Sequence, residues 1–238
     1  VGQKSKKGCI GAVVGCSALA VIVVAVVGFF LYRQAKTFQE NLTNPEPKTL
    51  QMLGITAMPE GYHANFAMKI PFLMEMIVMS TEPGTYEDKE NQSGEPFGKK
   101  GFFYITFLRL KKDSTDLQDF FEGKTDRTDV LKDNGVNIDV DEMLQRGTFQ
   151  LNDSNFFYMV QRGSFQAGQG RADGLSTMML IQCPDDKKMR MAVWYGPDEA
   201  NTEGVDPSEM QATLEGTVGD LDEVKSFVGQ FNFCAPVE

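Results

Sequence analysis

Histidine is almost missing from this chain: His63 is the only one in 238 residues. A Ser-His-Asp or Cys-His nucleophile would have to be built on it, and metal centres of the histidine-rich kind are excluded. His63 follows Tyr62 at the start of a strand pattern, where a hydrogen-bonded structural histidine is the ordinary explanation. Cysteine is scarce too. Of the four, Cys9 and Cys16 lie inside an apolar run and should stay reduced. Cys183 and Cys234 each end a strand pattern, and the sequence fits a disulfide in an oxidising compartment as well as two free buried thiols. Acidic residues are absent from residues 1–36, which hold Lys4, Lys6, Lys7, Arg33 and Lys36. The other 18 basic and all 33 acidic groups lie beyond them, a net of −15 over residues 37–238. That sign argues against nucleic acid and anionic lipid headgroups as partners, because the phosphate attraction that drives such binding is reversed. It suits a basic protein surface, cations, or solubility alone. The chain has no internal repeat and no low-complexity tract.

What is present in abundance is one apolar run, Gly8 to Tyr32, with 25 residues and neither charge nor proline. About 20 apolar residues span a bilayer core of about 30 Å, so the run predicts a transmembrane helix. Residues 1–7 then form a basic tail. Its lysines outnumber the flanking charges at the far end, Arg33 and Lys36, which places the tail in the cytoplasm and the rest outside. A bacterial periplasm fits best. Three processed segments resemble this run. A cleaved secretory peptide would end near Ala18-Leu19-Ala20, but the apolar sequence continues to Leu31. A lipobox at Val13-Val14-Gly15-Cys16 should be followed by polar residues, and is not. A pilin-like leader, Lys6-Lys7-Gly8, lacks the glutamate expected where Val13 stands. Within the run, Gly8, Gly11, Gly15, Ala18 and Ala25 recur at nearly helical spacing, including Gly11-x-x-x-Gly15. Small residues let helix backbones approach in lipid, so this face is a candidate for packing against itself or another membrane subunit.

Residues 33–48 read as a juxtamembrane stalk. Helix continues into Gln34–Leu42, Pro45 and Pro47 stop it, and Thr43–Lys48 is the linker. From residue 49 to 238 the expectation is one α+β domain: a mostly antiparallel sheet of about seven strands covered by short helices. Leu50–Met58 lies against it, and Pro59-Glu60-Gly61 is a turn with proline second. Apolar residues alternate from Ala64 to Val78, as one bent strand or two. Pro71, on the other face, marks a bend or an edge. Glu82–Lys100 is a long exposed loop. Phe102–Leu110, apolar on both faces, is a central strand. A helix buries Leu117, Phe120 and Phe121 and stops at Gly123, and two more are expected over Asp126–Asp133 and Asp139–Gln145. Hairpins join Thr148–Leu151 to Phe156–Arg162, and Leu175–Cys183 to Met189–Tyr195. Gly168–Gly174 is glycine-rich, but no helix follows it to receive a phosphate, so it reads as a flexible loop. Met210, Ala212 and Leu214 alternate as a short strand. Asp220 caps a helix carrying Leu221, Val224, Phe227 and Val228, and Phe231–Cys234 is a final strand.

Gly61-Tyr62 leading into an apolar strand that runs to Pro71, together with the terminal helix and strand of Asp220–Cys234, resembles the PsbP-like α/β sandwich domains over residues 59–234. That resemblance implies an accessory or assembly protein rather than an enzyme. Other chemistry is thin. Met74-Glu75-Met76 and Met189-Arg190-Met191 pair thioethers that suit Cu(I), yet they also continue an apolar face where methionine fills core space. Asp139/Asp141 and Asp185/Asp186 pair carboxylates, but neither has calcium-loop spacing. Asn41, Asn91 and Asn152 head Asn-x-Ser/Thr sites that matter only in a eukaryotic secretory pathway. The reading is therefore a non-enzymatic, single-pass accessory or interaction subunit of a membrane assembly, without cofactor. Behind it stands a tethered ligand-binding or sensing ectodomain rimmed by Glu82–Lys100 and Gly163–Gly174, and then a pilin-like or metal-handling protein.

Overall fold

Strands that are apolar on both faces need cover on both sides, and that requirement organises this domain. The structure, a computed structural model, describes residues 43–70, 73–84, 99–107, 115–125, 137–167, 170–184 and 188–234. In chain order these form α1 (Glu46–Leu53), β1 (His63–Ile70), β2 (Met74–Ser80), β3 (Gly101–Phe107) and α2 (Thr115–Phe121). There follow β4 (Asn137–Leu151), β5 (Ser154–Ala167), β6 (Gly170–Gln182), β7 (Met189–Gly196), α3 (Met210–Thr213) and α4 (Leu221–Val228). The seven strands make one sheet in the order β1-β2-β3-β7-β6-β5-β4, and every neighbouring pair is antiparallel. Two meanders, β1-β2-β3 and β4-β5-β6-β7, meet where β3 pairs with β7, so the last strand closes the middle of the sheet. All eight residues of β7 are buried.

The first face carries Ile77, Phe102, Trp194, Leu175 and Phe156, covered by Met52 and Leu53 of α1, Phe227 and Val228 of α4, and Phe231 and Phe233. Trp194 stacks on Phe227 at 4.6 Å and 4°, and its indole N–H donates to the Tyr62 hydroxyl at 2.8 Å. The second face carries Val78, Phe103, Val193, Met178 and Met159, covered by Leu117, Phe120 and Phe121 of α2. Alternate residues of each strand therefore enter different cores. Gly101 has no room for a side chain because the Tyr195 ring of its cross-strand partner lies over it.

Several expectations are corrected. Residues 139–145 are not a helix but the middle of β4, where register shifts at Val140/Glu142 and Met143/Gln145 break the two-residue alternation. Met210 and Leu214 are both buried, but they sit one helical turn apart in and after α3, not on a strand. Phe231–Cys234 alternates as a strand does, yet it is irregular and ends in a turn; Asn232 N–H donates to Leu53 O of α1 at 2.8 Å. Gly170–Gly174, expected as loop, belongs to β6 and pairs with β5. Glu46–Lys48 are helix rather than linker, because prolines at the start of α1 replace amides that would lack intrahelical partners anyway. The turn after Met58 runs from Pro59 to Tyr62, with proline first and Gly61 at φ 75°. Residues 71–72, 85–98, 108–110 and 126–133 lie outside the described residues, and with them Pro71, the middle of the Glu82–Lys100 loop and the first of the two extra helices. The alternation of 64–78 resolves as two strands joined by a hairpin.

Candidate functional site

Across the first face, one rung of the sheet is polar where the rungs beside it are apolar. Register aligns Lys69 with Glu75, Glu75 with Thr106 and Thr106 with Arg190. Glu75, Thr106 and Arg190 are each 3% exposed, as is Tyr104 on the same face. Lys69 Nζ meets Glu75 Oε1 at 2.7 Å, and the Thr106 hydroxyl donates to the Tyr104 hydroxyl at 2.8 Å. Burial pushes the Tyr104 hydroxyl up to about 12, against the opposing hydrogen bond from Thr106 and the charge of Arg190. Lys48 of α1 completes the group. Its ammonium is lowered from the usual lysine value first by burial and then by the charge of Lys69, with Glu75 opposing. Lys69 is thus paired directly with Glu75, Lys48 lies within electrostatic reach of both, and Arg190 stands two strands from Glu75 on the same rung.

A second polar cluster pins the chain after β7. The Arg162 guanidinium pairs with Asp198 and Glu142 and donates to the Thr202 hydroxyl at 2.6 Å and Ala200 O at 3.3 Å. Asp198 is the largest cause of the raised Arg162 value. On the second face Gln161, Ser176 and Tyr195 share a rung and are 0%, 6% and 2% exposed. Neither carboxamide atom of Gln161 has a hydrogen-bond partner. The adjoining depression, lined by Gly163, Gly174, Ser176, Tyr195 and Gly196, is too narrow to admit water.

Cys183 and Cys234, left open between disulfide and thiols, are bonded, with Cα atoms 5.6 Å apart. Such bonds persist in oxidising compartments and are rare in the cytosol, so this one hints at an extracytoplasmic domain. Met74 and Met76 pack against the second core while Met189 and Met191 lie within it. The two pairs lie on strands separated by β3, whose Phe107 and Ile105 stand between them on the same rungs. Among the described residues no group of three or more His, Cys, Asp or Glu side chains is placed to hold an ion. Asp141 is exposed on β4, and Asp139 lies on that strand rather than at a helix start. Asp185 and Asp186 lie outside the described residues. His63, expected as a hydrogen-bonded structural residue, is exposed at the start of edge strand β1. The strands Ser154–Ala167 and Gly170–Gln182 take up most of the Gly163–Gly174 rim. Gly8, Gly11, Gly15, Ala18 and Ala25 lie outside the described residues, and among those described no helix is long and apolar enough to cross a membrane.

Sequence reasoning missed the polar rung although its signal was plain. In Met74-Glu75-Met76 and Met189-Arg190-Met191 the methionines draw attention, but the charge trapped between them is what the fold uses. Gln161, between Val160 and Arg162, gives no such signal. No protein-family model matches the chain, and no curated protein matches it.

Proposed function

We propose that the chain is a single-pass membrane protein whose acidic extracytoplasmic domain serves as an accessory, non-enzymatic subunit of a larger membrane assembly. The observation that carries this reading is the Cys183–Cys234 disulfide, which fits the side of the membrane that lysine placement assigns to the domain. The small-residue face of Gly8–Tyr32 supplies the means of association. Among the described residues, the buried Glu75 is taken up by Lys69 and Arg162 by Asp198, pairings that serve the fold. Gentle detergent extraction of the whole chain, followed by sizing and identification of co-eluting chains, tests the proposal. A discrete large complex is expected, and a lone monomer or dimer counts against it.

A further inference from the structure

We propose that Met68, Met74 and Met76 form a thioether site for Cu(I) on the second face of the sheet, at its β1 edge. The site goes beyond the proposed function and rests on strand register, not on the membrane reading. Eight of the thirteen methionines are buried in the two cores. The other five, Met58, Met68, Met74, Met76 and Met143, are half-buried. Met58 packs against the first core and Met143 lies on β4 at the opposite edge, but the remaining three come together. Met68 stands directly opposite Met76, and Met74, opposite Ile70, is the diagonal neighbour of Met68 on the same face. Opposed residues place their Cβ atoms about 5 Å apart and diagonal ones about 7–8 Å. Methionine has three rotatable bonds, so sulfurs rooted at those separations can converge on one ion.

The sequence shows only Met74 and Met76 as a pair; folding β1 back on β2 supplies the third sulfur. Gap-filling explains methionine inside a core, but these three positions are reached by solvent on an edge strand and its neighbour. Their two rungs bring no side-chain nitrogen or oxygen to this face across β1, β2, β3 and β7. Met68 and Met76 are followed by Ile105 and Met191, and Ile70 and Met74 by Phe107 and Met189. The charged residues between them, Lys69 and Glu75, are joined to each other on the first face. His63 lies five residues along β1 from Met68, about 16 Å away and out of reach. Thioether sulfur without nitrogen or oxygen selects Cu(I) over Zn(II) and over hard cations such as calcium. The flanking Ile70 and Phe107 suit a singly charged ion, whose desolvation costs less than that of a divalent one. The acidic domain favours a cation in general. Thioethers also persist beside a disulfide in an oxidising compartment, where free cysteines would pair.

The test uses the whole chain in detergent with Cys9→Ser and Cys16→Ser, so that no thiol competes. Ascorbate keeps copper as Cu(I) without opening the disulfide. The chain should withdraw one equivalent of Cu(I) from its bicinchoninate complex, and Zn(II) should not displace it. Losing a ligand should cost no less than losing a residue that orients one, so Met68→Leu, Met74→Leu and Met76→Leu should each weaken binding about tenfold or more. Met58→Leu and Met143→Leu should leave it unchanged. Failure to withdraw copper overturns the proposal, as does undiminished binding by the triple leucine variant with its near-ultraviolet circular dichroism intact. A second measurement needs no substitution in the folded sample. Ag(I), a redox-inert stand-in for Cu(I), should shift the carbon-13 methyl resonances of Met68, Met74 and Met76 alone. Shifts shared with Met58 and Met143, or none at all, overturn the site. Whether the chain elutes in a large complex bears on the proposed function and leaves this result untouched.

Discussion

Lys69 and Glu75 differ in depth, and the difference decides what each contributes. The Glu75 side chain is 5% exposed and that of Lys69 33%, so only the lysine can turn to water when its partner is lost. Lys69→Met leaves a desolvated carboxylate and should lower the unfolding free energy by about 2 kcal/mol. That is less than the 3–5 kcal/mol of fully buried pairs, because Lys69 is already partly solvated. Glu75→Gln should lower it by about 1 kcal/mol or less, and urea midpoints that reverse this order would contradict the assignment. Tyr104 makes a prediction in pH. Its hydroxyl titrates at about 12 when folded and at about 10 when unfolded. Below pH 10 both states keep the proton and nothing is lost. Between 10 and 12 the unfolded chain ionises first, so stability falls as pH rises, by about 3 kcal/mol in full. Tyr62, also raised to about 12 by burial, adds to the same window. Tyr104→Phe should move the alkaline unfolding midpoint, read by circular dichroism, to higher pH. At neutral pH it should lower stability by about 1 kcal/mol through the orphaned Thr106 hydroxyl.

Among the elements, the β4–β5 hairpin sets the far edge of the sheet, and its two-residue turn sets the hairpin. Asn152 and Asp153 both adopt positive φ, 48° and 61°, the primed turn that matches the twist of the flanking strands. The Asn152 carboxamide also donates to Gly229 O at 3.1 Å, tying the turn to the end of α4. Asp153→Gly should therefore stabilise the domain by about 0.5–1 kcal/mol, whereas Asn152→Gly should lose its tether and give no gain. A fall in the urea midpoint of Asp153→Gly would show that the turn is not held in this form. The hairpin was legible in the sequence because Asn-Asp between two apolar runs has a mechanism for turning. Its first strand was legible only near the turn. Residues 148–151 alternate cleanly, but the two bulges upstream shift which residue faces the core, and a broken period of two imitates a helix over 139–145. The same ambiguity misplaced α3, where Met210 and Leu214 fit either one helical turn or two strand steps. At Asp220 the local chemistry was unambiguous: its carboxylate accepts from the Asp222 N–H at 2.9 Å, as a helix cap should.

In the whole molecule, the disulfide joins the end of β6 to the segment that follows α4, and so ties the helical cover of the first face to its sheet. The bond spans 51 residues of sequence, and closing a loop of that length in the unfolded chain is worth about 4 kcal/mol in the chain-entropy model. Cysteine spacing alone left the bond undecided, because pairing depends on strand ends that sequence places only approximately. The native cover does not rely on the bond. Phe231 and Phe233 are 2% and 5% exposed, and Phe233 packs at 5.1 Å from Tyr104, so the C-terminal segment should stay docked when the sulfurs are separated. The loss must then come from the denatured state, which becomes more expanded and exposes more surface. A Cys183→Ser/Cys234→Ser protein should keep its near-ultraviolet circular dichroism. It should lose about 4 kcal/mol of stability and show a steeper dependence of free energy on urea. An unchanged slope with a lost near-ultraviolet signal would mean that the bond holds the native cover in place, and that the aromatic packing alone does not.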